Sequence, residues 1–431
     1  MGPGVESSLR VILELYANRA ARETPFDPAH PKPLPEGLAL ASIRRGMPPP
    51  AFPRALLSHL RHREQEMTRL LGRFVRAESP SYDKAAVDRF GRLVAAEWRK
   101  RGAHVELLQQ RERGDHLRVT LGEGSGGPLG QILVLGHLDT VYDLGTLARM
   151  PFRIARGRGW GPGAYDMKSG LVIALFAAEA LGRTKFPPRK RVVFLWTSDE
   201  EIGSQTSRAW IEREARRSDA VLVLEPSSGL DGRVKTARKA VGEVELVVTG
   251  RAAHAGIDPQ NGVNAVHELA LQIERIARFN RPRRGVTVNA DVVEGGTRTN
   301  VIAPRARALV DIRAARAADM RWLEAKFRRL RPILPGARLE VRGGFSRPPM
   351  ERAASAALFR KAQALASQMG LKLQESFTGG GSDGNFTAAL GIPTLDGLGG
   401  VGEGAHSPGE CVLIHALPGR AALLAALLAT L

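Results

Sequence analysis

Over residues 55–109 apolar side chains recur every three or four positions, as in L-L-x-H-L-R-H-R-E-Q-E-M-T-R-L-L and again over 83–101. That spacing places them on one face of a helix. Short apolar runs then take over at 105–107, 116–121 and 131–135, and they predict strands. The connection G-E-G-S-G-G-P between the last two lacks the lysine and hydroxyl of a phosphate-binding loop and reads as a hairpin link. After Ser169 the run G-L-V-I-A-L-F-A-A-E-A-L predicts a buried helix, followed by strands at 191–197 and 220–224. Strands alternating with helices of this length predict an α/β fold, a mixed sheet covered by helices on both faces.

The pattern changes after residue 236. V-G-E-V-E-L-V-V-T-G alternates as a half-buried strand does, and residues 263–279 form an amphipathic helix. Strand patterns at 286–296 and 306–316, a helix at 320–331 and a strand at 338–342 complete a β-α-β-β-α-β order. This predicts a small α+β sandwich with one helical layer. The expected organisation is an N-terminal extension at 1–56, segments at 57–236 and 348–431 that carry the first pattern, and a second domain at 237–347. The extension is proline-dense over 25–53, a composition that favours extended backbone.

Composition narrows the class. A chain of 431 residues, 43% hydrophobic and 25% charged, is that of a globular protein with more than one core. No apolar run reaches the roughly 18 to 20 residues a membrane span needs. V-I-L-E-L-Y-A near the N-terminus is interrupted by Glu14 and reads as no signal peptide. One cysteine, Cys411, excludes an internal disulfide and fits a cytoplasmic location, although a cysteine-poor exported chain fits too. The net charge of +19 is spread over the chain, with no zinc finger, basic helix or RNA-binding aromatic signature. It argues for attraction of small acidic substrates rather than for nucleic acid.

Acidic and histidine residues collect where the predicted strands end. One strand runs into G-H-L-D-T, another into T-S-D-E-E-I-G-S and a third into L-E-P-S, placing His137, Asp139, Asp199, Glu200, Glu201 and Glu225 at strand ends. The glycine-rich loops G-P-G-A-Y-D-M-K-S-G and G-E-G-A-H-S-P-G-E add Asp166 and His406. Each has a plain structural reading as a turn, a helix cap or a solvated loop. Together, at the carboxyl ends of a covered sheet where open α/β folds place their sites, they would be costly as unpaired charges. Divalent cations would neutralise them.

These segments, with G-R-A-A-H-A-G, T-N-V-I-A-P and G-G-G-S-D-G-N, resemble in order and separation the M20-type zinc peptidase and aminoacylase family. That family includes glutamate carboxypeptidases, acetylornithine deacetylases and succinyl-diaminopimelate desuccinylases. D-T-V-Y and L-A-R-M-P-F-R-I resemble the glutamate carboxypeptidase branch most. The resemblance covers about residues 57–431, with Ser169 where many members have glycine.

The resemblance implies a zinc aminopeptidase-like catalytic domain and two Zn²⁺ per subunit, with Co²⁺ or Mn²⁺ as possible replacements. His137 and Glu225 would hold one ion, Glu201 and His406 the other, and Asp166 would bridge them. Asp139 would take the second ring N–H of His137. Successive residues leaving a strand point different ways, so Glu200 can act as general base while its neighbour ligates. The 237–347 domain would be inserted into the catalytic domain, leaving it discontinuous at 57–236 and 348–431, and would serve as lid and dimerisation domain, with His254 reaching the other subunit's site as oxyanion donor. Asn300, Arg347 and Gly381 fall on substrate-contacting positions, and an arginine fork suits a free carboxylate. The expected activity is hydrolysis of a peptide or amide bond, releasing a C-terminal amino acid such as glutamate from peptides or N-acyl conjugates. The alternatives are an N-acyl amino acid deacylase of the same fold and a non-catalytic binding protein.

Overall fold

The computed structural model describes residues 51–121, 130–184 and 186–431. The proline-dense segment up to residue 50 and the whole G-E-G-S-G-G-P connection lie outside the described residues. The hairpin expected there does not form, because the strands on either side of it, His116–Leu121 and Gln131–His137, are separated in the sheet by Arg191–Thr197, which pairs with both.

A mixed six-stranded sheet forms the larger part. Its spatial order is His104–Leu108, His116–Leu121, Arg191–Thr197, Gln131–His137, Ala220–Val223 and Thr394–Leu395. The first three strands are antiparallel to one another, and from Arg191–Thr197 onward the neighbours are parallel. Gln131–His137 is buried at every position. Its unbroken apolar run, without alternation, is what a strand covered on both faces requires.

One face packs against the helices Phe52–Arg61, Glu64–Val75, Lys84–Arg99, Ser169–Gly182, Arg352–Gln368 and Leu417–Thr430. Helix Ser169–Gly182 is buried nearly all round, which its lack of a polar stripe demands. The opposite face is covered by Arg208–Ala215 and Gly384–Ala389 through Ile211, Ala215 and Phe386.

The helical pattern after residue 55 does not form one rod. It breaks at 62–63 into Phe52–Arg61 and Glu64–Val75. The turn is closed by Arg63 N–H on the Leu60 carbonyl at 2.9 Å, and the Arg63 side chain bridges Glu66 and Glu179 at 2.6 and 2.9 Å. The break lets two apolar stripes, Leu56–Leu57–Leu60 and Met67–Leu70–Leu71–Phe74, both face the core. The first helix also starts earlier than the sequence pattern suggests. Phe52 and Pro53, which that pattern assigns to the extension, are buried in its first turn.

Residues 240–347 carry a second sheet with the spatial order Thr287–Gly295, Arg305–Ala314, Ala240–Thr249, Arg338–Arg347, antiparallel throughout. Helices Ala265–Ala277 and Ala317–Arg328 lie against it and enclose a separate core of Leu246, Val248, Leu269, Val310, Ile312, Leu323 and Phe327. Strand Arg305–Ala314 alternates strictly, with its alanine, valine and isoleucine positions buried. Asn264 caps the first helix by accepting from the N–H groups of Val266 and His267.

Two further pairings were not legible as patterns. Val234–Arg238 runs parallel to Glu375–Thr378, and four strands of two or three residues join 153–160 to 402–413. Elements that short leave no periodicity, yet they hold the loops around the site. Among the described residues no helix is long and apolar enough to cross a membrane.

Candidate metal centre and active site

His137 ends the central strand, level with Thr197 on its parallel neighbour. A side chain at the preceding Gly136 would meet Met167 at 2.7 Å and the Trp196 ring at 2.9 Å, so the strand end closes only over a glycine. The His137 Nδ1–H donates to the main-chain carbonyl of Asp139 at 2.9 Å. This turns Nε2 toward Asp166 Oδ1 at 3.3 Å and Glu225 Oε1 at 3.5 Å. The tautomer is therefore set by the Asp139 main chain, where the sequence suggested its carboxylate, which lies farther away at 3.5 Å. The Asp139 carboxylate accepts instead from Ser81 Oγ at 2.7 Å and from the N–H groups of Glu200 and Glu201 at 3.3 and 3.2 Å. It fixes the turn that carries both glutamates.

Asp166 faces the two imidazoles with different oxygens. Oδ1 is near His137, and Oδ2 lies 3.3 Å from His406 Nε2. His406 Nε2 is also 3.2 Å from Glu201 Oε2. The other oxygen of Glu201 is buried and has no hydrogen-bond partner among the described residues. Ligand atoms of His137, Asp166 and Glu201 all lie within 4.8 Å of one another, and so do those of His137, Glu200 and Glu225. The structure thus gathers His137, Asp166, Glu200, Glu201, Glu225 and His406 from five separate segments.

Buried partners that the sequence reading did not single out hold this arrangement. Glu410, at the end of A-H-S-P-G-E, accepts from the N–H groups of Tyr165 and Asp166 at 2.8 and 2.9 Å and from the Tyr142 hydroxyl at 2.6 Å. Arg238 forms a two-pronged ion pair with Asp396 at 2.7 and 3.0 Å and stands 3.5 Å from Glu225. The sequence signal for Glu410 and Asp396 was charge inside otherwise apolar or glycine-rich segments, whereas Arg238, between Lys235 and Lys239, gave none. Asp199 is a buried loop tie, accepting from the N–H and hydroxyl of Thr206 at 2.6 and 2.8 Å.

The residues expected to touch substrate are placed differently. Arg347 is 5% exposed, and its guanidinium is occupied internally. It donates to Asp383 Oδ1 at 2.8 Å, Ser204 Oγ at 2.8 Å and the Glu200 carbonyl at 3.0 Å, and pairs with the Glu200 carboxylate at 3.1 Å. In this arrangement it clamps the candidate base; the open fork for a substrate carboxylate that the sequence suggested is not what the structure presents. Asn300 is exposed, with its carbonyl accepting from Ala255 N–H at 3.0 Å. The Gly381 carbonyl accepts from Arg238 at 2.8 Å. His254 is exposed, and no hydrogen bond or ion pair joins it to the cluster among the described residues. Its Nδ1 accepts from the N–H groups of Gly256 and Ile257, each at 3.2 Å, which leaves the proton on Nε2 facing outward.

The electrostatics ask for positive charge at two places. Burial opposes ionisation of Asp166, yet hydrogen bonds from His137 and His406 hold its carboxyl well below the usual range. Burial also disfavours the His137 imidazolium, but bonds to Asp139, Asp166 and Glu225 outweigh it and keep its pKa well above the ordinary value. Hydrogen bonds to Asp166 and Glu201 push His406 up to about 11. Burial and the Asp166 charge push Glu201 up to about 7, and burial carries Glu200 well above the carboxylate range against the pull of Arg347. Two imidazoles, a shared carboxylate with divergent oxygens and an unpartnered buried carboxylate oxygen suit divalent cations with mixed nitrogen and oxygen ligands.

A covered mixed sheet with such a cluster at its strand ends is the framework of a metal-dependent hydrolase. The profile of peptidase family M20/M25/M40 matches residues 133–430, and the chain belongs to that family. Carboxypeptidase G2 of Pseudomonas sp. (strain RS-16) is 31% identical over 367 residues, 83% of this chain and 87% of the relative. Succinyl-diaminopimelate desuccinylase of Cereibacter sphaeroides (strain KD131 / KCTC 12085) is 31% identical over 303 residues, 64% of this chain and 77% of the relative. Among solved structures, aminopeptidase PepT of Bacillus cereus ATCC 10987 superposes with a TM-score of 0.71 at 23% identity, covering 85% of this chain and 98% of that one.

Proposed function

We propose that the chain is a carboxypeptidase that releases a C-terminal amino acid, such as glutamate, from peptides or N-acyl conjugates. The observation that carries this is Asp166 presenting one oxygen to each of two imidazole–carboxylate pairs, with Glu200 beside them. The 31% identity to Carboxypeptidase G2 supports the choice of leaving group. His137 and Glu225 would hold one Zn²⁺, Glu201 and His406 a second, with Asp166 between them. Bound divalent ions would polarise the scissile carbonyl and bring the attacking water's pKa toward neutrality.

The chain's own groups do the rest. Glu200 takes the water proton and returns it to the departing amine. Asp139 and Arg347 hold Glu200 in place from its main chain and from its carboxylate. A substrate carboxylate that takes the place of Asp383 on Arg347, alongside Asn300 and the 379–381 loop, would leave the contact with Glu200 intact and set the scissile bond next to the base. A homodimer built through the 237–347 domain would let the outward Nε2–H of His254 reach the other subunit's site, where it would stabilise developing negative charge on the carbonyl oxygen.

The second reading is an N-acyl amino acid deacylase, which the desuccinylase relative favours. Amino-acid release from a panel of dipeptides, folate-like conjugates and N-acyl amino acids separates the two. Glu200→Gln, assayed beside the wild type with metal content measured in both, should keep its zinc and lose turnover by orders of magnitude. Turnover that survives the substitution would sink the base assignment.

A further inference from the structure

On the flank of the larger sheet, where helix Leu417–Thr430 meets helix Phe52–Arg61, a cavity of about 280 Å³ is lined by Leu57, Leu371, Leu373, Val401, Leu413 and Leu423. None of its lining residues belongs to the cluster described above. Arg61, Lys372, His415 and Arg420 also line it, against a single carboxylate, Asp231, which pairs with Arg233 at 3.1 Å.

Arg420 is 6% exposed and has no carboxylate within ion-pair distance among the described residues. Its guanidinium donates to the carbonyls of Gly399 at 2.9 Å, Gly232 at 3.1 Å and Gly397. Three bonds to carbonyls leave two of the five guanidinium N–H groups without a partner among the described residues. Burial lowers its pKa to about 10, the mark of a cation whose charge is not compensated. A buried positive charge in an apolar wall is costly alone and favours an anion.

We propose that this cavity binds a small amphipathic organic anion, its carboxylate on Arg420 and its apolar part against the leucines, and that the ligand modulates the metal centre. The volume sits near the lower end of ligand pockets and suits a molecule of on the order of ten non-hydrogen atoms. The route to the centre is short. Arg420 holds the 397–400 loop, and that loop braces the strand end carrying Glu225. Gly399 N–H donates to the Glu225 carbonyl at 2.9 Å and Leu398 N–H to Val223 at 3.0 Å, while the Gly400 carbonyl accepts from Ser227 at 2.9 Å. A Cβ at Gly399 would stand 2.2 Å from the Leu224 carbonyl, so loop and strand touch directly.

The probe is octanoate, with 1-octanol as the uncharged control, titrated calorimetrically into the zinc-loaded full chain. Gly419→Leu fills the cavity. Its Cβ would stand 3.3 Å from the flexible Leu371 side chain, and leucine favours the helix, so the variant should keep its Tm. Wild type should bind octanoate with a Kd below about 1 mM, roughly tenfold tighter than octanol. Gly419→Leu should bind neither, and saturating octanoate should change kcat or KM about threefold or more in the wild type alone. The absence of saturable binding, equal affinity for octanol, or binding retained by a folded Gly419→Leu overturns the site. Retained binding would point to the carboxylate sitting on the metals instead. Saturation with kcat and KM unchanged overturns the link to Glu225.

Discussion

Glu410 is buried, and its carboxylate is the anchor of the 165–166 main chain. Burial raises its pKa to about 7, yet the carboxylate stays tied to two backbone N–H groups and the Tyr142 hydroxyl. Glu410→Ala removes the acceptor oxygens of all three hydrogen bonds at once. An orphaned buried donor costs about 1–3 kcal/mol. With the Tyr142 hydroxyl able to donate to the Ser407 carbonyl at 3.0 Å instead, the two amides alone imply about 2–6 kcal/mol. Part of that appears as lost stability. The remainder appears at the metals, because Asp166 is the residue facing both imidazoles and a freed 165–166 segment no longer presents it. Loss of such an outer partner lowers metal affinity about 10- to 100-fold.

Glu410→Gln is the discriminating control, since its amide oxygen can still accept from Tyr165 and Asp166 while its NH₂ donates to the Tyr142 oxygen. Zinc affinity by competition with a chromophoric chelator, beside Tm of the metal-free proteins, measures both parts. The expected order is wild type, then Glu410→Gln within about threefold, then Glu410→Ala at least tenfold weaker. Wild-type zinc affinity in Glu410→Ala, or equal loss in both variants, would refute the anchoring argument.

His406→Ala should reduce bound zinc from two ions to one per subunit by elemental analysis, because Glu201 and Asp166 alone leave one position short of ligands; two retained ions would contradict the pairing. Gly136→Ala should destabilise by about 1–3 kcal/mol in denaturant titrations, since the new methyl meets the fixed Trp196 ring as well as Met167. At Glu97 burial opposes charge, but hydrogen bonds from Lys100, Arg101 and Arg73 win and hold the carboxyl at about 2, below its ordinary 4.5. A lowered folded-state pKa stabilises above the ordinary value and is lost as pH falls through the lowered one. Glu97→Gln should therefore cost about 2 kcal/mol at pH 7, discounted because Lys100 and Arg73 are exposed, and the gap should close between pH 4.5 and 2. A gap that does not change with pH would refute it.

The covered mixed sheet follows from sequence alone, because the middle of a strand buried on both faces must be apolar without a break, as Ile132–Leu135 and Val192–Trp196 are, and the neighbouring helices carry their own period. The acidic and histidine residues at strand ends were legible for the same reason: charge in apolar surroundings stands out. Periodicity could not show the break at 62–63, since two helices in line and one long helix share the same spacing. Nor could it show strands of two or three residues. Tertiary structure alone decided which Asp166 oxygen meets which imidazole, that the Asp139 main chain sets the His137 ring, and that Arg347 lies on Glu200 and Asp383. Those are relations between side chains up to 268 positions apart, as with Tyr142 and Glu410. Local sequence encodes which surfaces must be buried; only the packed chain settles which buried charges answer one another.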